Sequence, residues 1–554
     1  MKQTHKLVSL LTAGLVFSGL AAGGGLQGAS AGTQPSTLTI ANETGALWSC
    51  GFNPYNAADN FLSFGTVYQS LEFIDTMDNA KVTPMLATAY AWSNEDKTLT
   101  FTIRPGIKWT DGSDFSAADV VYSFDLLKKY PSLDLNSVWS VLTSVKQEGA
   151  ERVVFTFRQP SVPFFYYIAD QVPIVSERVW SKVANPETYA DSQPVGTGPY
   201  VVSRCSPQNI EYTKNTHYWQ PGLPHIDVVN YPSFTSNYPA NEELATGNAQ
   251  WGGQFIPNIK TFYLSKSPNY HYWGPPLTNI YLFTNLTVAP LNDLAVRKAI
   301  SFAIDRARVS AIGEQGINPP ANQAGIVTPT FNSWYDGSLA GQYGYGYEPA
   351  KARKVLAAAG FKPGPGGVDV NARGQRLALT VINIGGNSDW VSDLGIISSE
   401  LKAVGISMAV QNLSSTTYES DLYAGRYQLA YGDEPAGGPT PYYELRDLLD
   451  STNTAPVGQL ATSNFERYRS ATADALFNRY ASTTNVATQR KVIDQVEKLM
   501  LSEVPVVPVD EFPAQSQYDT AKFSGWATPS DPYAEPAPYN LPDWGIQLAN
   551  LRPK

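Results

Sequence analysis

The chain has 554 residues, a formal net charge of −10, and 43% apolar, 12% aromatic and 16% charged side chains. That length holds roughly two to four domains at about 150 residues each, and the apolar fraction excludes a disordered polymer. An acidic chain without a Lys/Arg run also excludes a nucleic-acid binder built on a basic surface.

Lys2 and Lys6 precede an apolar run from Leu7 to Ala22, short for a membrane-spanning helix. Ala29-Ser30-Ala31 is a small-x-small cleavage site, so residues 1–31 read as a secretory signal peptide. Small residues and glycines follow the run, rather than a basic stop-transfer flank or a cysteine able to carry lipid. Gly28-Ala29-Ser30-Ala31-Gly32 matches the nucleophile elbow of hydrolases, but that motif needs a strand before it and a helix after it, and here it lies on the cleavage site. Export to an oxidising compartment permits a disulfide between Cys50 and Cys205, two free buried thiols being the alternative. His217, His225 and His271 lack metal-ligand spacing, so neither a metal nor a cofactor is expected.

Residues 36–42 alternate as a strand, and a turn-rich loop carrying Trp48, Phe52 and Tyr55 follows. Residues 98–104 alternate again, Asp111-Gly112 marks a tight turn, and Ser116 with Asp119 starts a helix whose buried stripe is Val120, Phe124 and Leu127. Residues 152–158 are another strand, so the span from about 80 to 192 reads as an α+β unit. "GTGPYVVSRC" (196–205) is a tight turn feeding a strand; it lacks the third glycine and following helix of a dinucleotide loop. From "NIYLFTNL" onward strand and helix alternate: helices over 291–309, 347–361 and 389–405, strands over 377–384 and 406–413. Pro349 and Gly360, and later Gly405, supply start and stop signals. Residues 504–512 return to extended structure.

"LTFTIRPGIKWTDGSDFSAADVVYSF" (99–124), "GTGPY" (196–200), "DLAVRKAISFAIDR" (293–306) and "YEPAKARKVLAAAGF" (347–361) together resemble the extracytoplasmic solute-binding proteins of ABC importers, oligopeptide-binding type, solute-binding protein family 5. The resemblance implies an α/β, periplasmic-binding-protein-like fold (type II, cluster C), with two lobes closing over a cleft and an extra α+β inserted domain. It implies a domain I of 32–80, 193–275 and 507–554, an inserted domain II of 81–192, and a domain III of 276–506, with crossings near 275 and 506. It places Cys50 and Cys205 together in domain I, which makes a bridge between them the expectation. In "DLAVRKAISFAIDR", Ile300, Ala303 and Ile304 are expected to pack domain III, and Arg297, Lys298, Asp305 and Arg306 to be solvated or capping groups.

A ligand held between lobes needs protein contacts in place of its hydration. Trp48, Tyr55, Trp251, Trp273 and Trp390 lie in or beside turn-rich places, where an aromatic can wall a cleft or fill a core. In oligopeptide-binding relatives an Asp at a strand-to-loop position pairs with the ligand's amino terminus, and Asp433 in "LAYGDEPAGGPTPYY" is the matching residue; Asp433 and Glu434 read equally as solvated loop acids. "GGPTPYY" and "GNSDW" resemble the oligosaccharide-binding branch instead. The partners implied are an oligopeptide or a short oligosaccharide, the permease transmembrane subunits and their ATPases, the protein being a monomer, periplasmic or at the cell surface. A secreted hydrolase using paired carboxylates is the enzyme alternative; no nucleophile or metal motif supports it.

Overall fold

The computed structural model describes residues 34–554 except 79, 329, 434–436 and 462. The signal-peptide reading at 1–31 and the loop acid Glu434 therefore lie outside the described residues. Where alternation over 36–42 predicts one strand there are two, β1 (Thr37–Thr39) and β2 (Asn42–Glu43). Between them Ile40 and Ala41 turn their N–H groups to the carbonyls of Asn230 and Trp251.

Four strands then build an antiparallel sheet: β3 (Ala87–Ser93), β4 (Thr98–Ile103), β5 (Leu142–Glu148) and β6 (Arg152–Phe157), in the order β3-β4-β6-β5. Helix α1 (Ala117–Lys129) starts as its sequence predicts, with the Asp119 carboxylate accepting the Ser116 N–H at 2.8 Å. Its stripe of Val120, Phe124 and Leu127 is buried, and Phe124 meets Phe155 of β6 edge-on at 4.7 Å. A short helix α2 (Phe164–Ala169) follows.

Strands β7 (Tyr200–Ser206), β8 (Asn209–Lys214) and β9 (Val228–Phe234) are antiparallel, and β1 and β2 add to β9 in parallel. The glycines of "GTGPY" serve a close backbone approach: a Cβ on Gly196 would lie 1.9 Å from the Val67 carbonyl oxygen, and one on Gly198 2.3 Å from that of Thr66. Cys205 on β7 is bonded to Cys50, with Cα atoms 5.8 Å apart. Helix α3 (Asn237–Ala245) leads to β10 (Trp251–Gly252) and β11 (Tyr270–Trp273).

The α/β alternation follows: β12 (Pro276–Thr284), α4 (Leu294–Ala303), α5 (Pro349–Ala358), β13 (Ala378–Ile384), α6 (Ser388–Ala403), β14 (Ser407–Leu413), α7 (Ser415–Tyr423), β15 (Leu429–Asp433), α8 (Tyr442–Leu449) and β16 (Val506–Pro513). The sheet order is β14-β13-β15-β12-β16, with β13, β14 and β15 parallel. In α4 the Asp293 carboxylate caps the Ala295 N–H at 2.9 Å, and Ile300, Ala303 and Ile304 are buried. Asp305 caps the next turn by accepting the Arg308 N–H.

Arg297 and Arg306 correct the solvated reading, since each is 8% exposed. Arg297 donates to the carbonyls of Val504, Leu291 and Glu503, and Arg306 to those of Pro508 and Ser301. A guanidinium has five donors, so a ring of carbonyls satisfies it without a carboxylate. Periodicity marks a helix face but does not say what meets it.

Strand β17 (Ser516–Asp519) pairs with β10 and β11. The chain thus passes twice between this small sheet and the β12–β16 sheet, at Gly274-Pro275 and at Ala514-Gln515. The Ala514 N–H bonds the Pro275 carbonyl at 2.8 Å and ties the crossings together. Because Val506–Pro513 pairs along Pro276–Phe283, the return crossing falls after Pro513 and not near 506. The extended pattern of 504–512 announces a strand but carries no mark of which sheet it joins.

Candidate functional site

Strands β13, β14 and β15 end along one edge, at Ile384, Leu413 and Asp433, and β2 and β9 end at Glu43 and Phe234. The backbone beyond the carboxyl ends of parallel strands forms the natural crevice of an α/β sheet. Here two such edges meet. A Cβ on Gly386 would lie 2.8 Å from the Thr235 carbonyl oxygen and 3.4 Å from Glu43 Oε1. One on Gly45 would lie 2.7 Å from Ser415 Cβ. Asn237, at the start of α3, donates to Asp389 Oδ1 at 3.3 Å and Ser388 Oγ at 3.4 Å, at the start of α6.

This seam is acidic. Burial lifts the Glu43 carboxyl to about 7, against the Gly45 N–H that lowers it and with the Asp389 charge adding to the rise. Burial lifts Asp389 to about 6, partly offset by backbone N–H groups at the helix start and by Asn237. Burial also raises Asp433, whose charge is felt by Tyr539 from the other side of the crossings. Asn387 Oδ1 and Gln515 Oε1, at the seam and the return crossing, are buried acceptors with no hydrogen-bond partner among the described residues.

The structure separates the aromatic residues singled out in the sequence. Trp48 is buried against Phe61 and Tyr231 and donates its indole N–H to the Tyr231 carbonyl at 2.7 Å. Tyr55 donates to the Pro173 carbonyl at 2.7 Å and meets Trp180 edge-on. Trp251 is fully buried, with its N–H 3.1 Å from both Ser516 Oγ and the Pro536 carbonyl. The polar atoms of these three are engaged by the protein itself. Trp390 packs edge-on to Tyr431 at 6.0 Å, one residue after Asp389. Trp273 is half-buried directly before the first crossing, and Asp433 is half-buried at the end of β15. Of the six, Trp390, itself 5% exposed, follows Asp389 at the seam, Asp433 ends a strand on the same sheet edge, and Trp273 lies at the first crossing. Glu43, Asn237 and Ser415 escaped the sequence reading, whereas Gly386, Ser388 and Asp389 lie in "GNSDW", noted there only for its resemblance to the oligosaccharide-binding branch. Their signal is local: Glu43 ends β2, and the others stand within five residues of the end of a strand, as in "NIGGNSD" at the end of β13.

Among the described residues one group of side chains, Glu314, Asp393 and Asp510, has carboxylate oxygens within 4.8 Å of one another, a spacing that could hold a cation. All three are fully buried, and Asp393 accepts the Tyr431 hydroxyl at 3.0 Å. Burial lifts Asp393 to about 7 and the other two well above the ordinary carboxylate range, as expected of carboxyls that hold protons. Their sequence positions are too scattered for spacing to reveal the group.

Two lobes joined by paired crossings and meeting at strand ends define a bilobal binding-protein architecture of the type II, periplasmic-binding-protein-like kind. Residues 81–456, more than half of the chain, match the family described as bacterial extracellular solute-binding proteins, family 5. The chain belongs to that family. The glutathione-binding protein GsiB of Salmonella typhi is 29% identical over 325 residues, 56% of this chain and 60% of that protein, so the match spans about three fifths of that relative's length. GsiB of Escherichia coli K12 is 29% identical over 476 residues, 82% of this chain and 86% of that one. Among solved structures, a periplasmic oligopeptide-binding protein of an ABC transporter from Thermotoga maritima, with mannohexaose bound, aligns with a TM-score of 0.87 at 24% identity, covering 94% of this chain and 99% of that one. The oligopeptide-binding protein AppA of Bacillus subtilis, in complex with a nonapeptide, aligns at 0.79 and 18% identity, covering 94% and 100%. No described helix is long and apolar enough to cross a membrane.

Proposed function

We propose that this protein captures an oligopeptide outside the cytoplasmic membrane and hands it to the transmembrane permease subunits of an ABC importer, whose ATPases drive uptake. It works as a monomer, without cofactor and without turnover. Domain I (32–80, 193–275 and the C-terminal segment) and domain III swing about the paired crossings, and domain II (81–192) rides on domain I. The observation that carries this reading is the acidic seam of Glu43, Asp389 and Asp433, of which Asp389 is buried and the other two half-buried. A peptide's α-ammonium is the cation such a seam complements, and its loss on truncating one partner costs about 2–5 kcal/mol. Trp273 and Trp390 would flank the ligand, with Trp48, Tyr55 and Trp251 stiffening the walls behind it. The relatives named for glutathione and the neighbour holding a nonapeptide agree with a peptidic ligand.

A second reading, a short oligosaccharide in the same cleft, is favoured by the neighbour that holds mannohexaose. A thermal-shift panel of di- to hexapeptides beside α- and β-linked oligosaccharides separates the two. Ligand at 100-fold over its dissociation constant adds about 2.7 kcal/mol of stability. Peptides are expected to stabilise the wild type, and Asp433→Asn to abolish that gain. Stabilisation by sugars alone would overturn the peptide reading, and turnover of a chromogenic glycoside or peptide would overturn the transport role.

A further inference from the structure

The inserted unit and the β12–β16 sheet share no strand, yet they touch directly through α2 and α8. The Tyr443 hydroxyl donates to the Pro163 carbonyl at 2.9 Å, a buried bond between residues 280 apart. Its ring meets Tyr166 and Tyr167 edge-on, with centroids 5.0 and 5.2 Å away. One turn further along α8, the Arg446 guanidinium stands 5.1 Å from the centre of the Phe164 ring and 5.7 Å from that of Tyr167. Arg446 is only 3% exposed. On its own helix it is held by Asp450 at 3.4 Å and Asp447 at 3.8 Å. Burial raises the carboxyl of Asp134, from the insert, to about 6, and the N–H groups of Trp139 and Val138 and then this guanidinium offset part of the rise.

We propose that this contact is a latch that sets how much of the protein is closed, with Tyr443 and Arg446 as positioning residues that need not touch the ligand. The inference rests on the hinge motion proposed above. The latch uses α2 and α8, whereas the seam uses strand ends and the starts of α3 and α6, so the two are chemically separable. Opening the lobes would leave the aromatic faces of α2 and the guanidinium to water. A buried cation over ring faces is worth more than an exposed one, because the low-dielectric surroundings strengthen the attraction and the rings have no competing hydration. Closure is then populated before ligand arrives. Apparent affinity is the intrinsic affinity scaled by the closed fraction, so weakening the latch weakens every ligand of the cleft by one factor, whatever its chemistry.

The test uses the full chain, stripped of ligand by unfolding and refolding, and small-angle scattering with no ligand added. Tyr443→Phe keeps the ring and removes the bond to Pro163; Arg446→Met keeps the stem and removes the charge. Both are expected to raise the radius of gyration, with a fall in closed-to-open ratio on the order of tenfold for Arg446→Met. Gly386→Trp serves as the control, because its side chain must wedge the seam apart at the Thr235 carbonyl. If the wedge raises the radius while Tyr443→Phe and a folded Arg446→Met leave it at the wild-type value, the latch is wrong and the hinge stands. If none of the three moves it, closure is not populated without ligand and the latch is wrong; the hinge is then judged separately, by whether a stabilising peptide lowers the radius of the stripped wild type. Should Arg446→Met fail to fold, Tyr443→Phe alone decides.

Discussion

Single residues carry both the most and the least legible parts of this protein. Asp433 stands out in the sequence because a short apolar strand ends on an acid, and the structure puts it beside the crossings. Asp389 is more deeply buried, at 4% exposed, yet its sequence does not mark it as a charge at the seam, since an Asp near a helix start also reads as a cap. The buried trio Glu314, Asp393 and Asp510 is illegible for a simpler reason: three elements far apart in the chain bring it together. Its effect on stability has a definite sign. Burial lifts Asp393 from 3.8 to about 7 in the folded protein. Below about pH 4 the carboxyl is protonated folded or unfolded, and no penalty exists. As pH rises from there to about 7, the unfolded chain releases the proton while the fold retains it, so stability falls. Above that window the loss is complete. Asp393→Asn keeps a carbonyl acceptor for the Tyr431 hydroxyl and removes the titration. Urea denaturation at pH 5 and pH 8 should show the variant losing less stability than the wild type, by about 1–3 kcal/mol at the higher pH. Equal losses in the two proteins would mean that Asp393 is not held protonated.

At the scale of elements, the helices with caps are the part the sequence specifies best. Ser116 with Asp119, Asp293, and the stop at Gly360 with a φ of +87° all act locally, within one turn of the residues they order. Strands are specified less well, because their partners lie elsewhere. The split of β1 from β2 depends on Asn230 and Trp251, and the sheet of Val506–Pro513 depends on β12. The bond between Cys50 and Cys205 is a similar long-range fact, tying the loop after β2 to β7 across 155 positions. Closing so long a loop constrains the unfolded chain, so the double substitution Cys50→Ser with Cys205→Ser should cost about 2–4 kcal/mol by guanidinium denaturation. A reducing agent should lower the wild type to the same midpoint and leave the double variant unchanged. A wild type insensitive to reductant would show that the bridge contributes nothing in solution.

For the whole molecule, what is legible is the order of parts, and what is not is their relative arrangement. A change of rhythm near 275 marks a lobe boundary, but no sequence pattern states that Ala514 bonds Pro275 or that Gly386 sits against Thr235. Those contacts describe closed lobes. A ligand shifts a two-state protein only by as much as it prefers one state to the other. A ligand touching Asp433 or Asp389 on one side and Glu43 on the other gains both sets of contacts only when the seam is shut, so its preference for the closed state is built into the geometry. We therefore expect the radius of gyration to fall when a stabilising peptide from the thermal panel is added to stripped protein. The fall should saturate at the dissociation constant obtained from the thermal shifts, because both signals follow one binding event. Glu43→Gln, on the lobe opposite Asp433, should weaken the peptide about 5- to 30-fold, the factor that one to two kcal/mol represents. It should leave the scattering curve of the ligand-saturated protein unchanged. Superimposable curves with and without a peptide that measurably stabilises the fold would show that capture does not close the lobes.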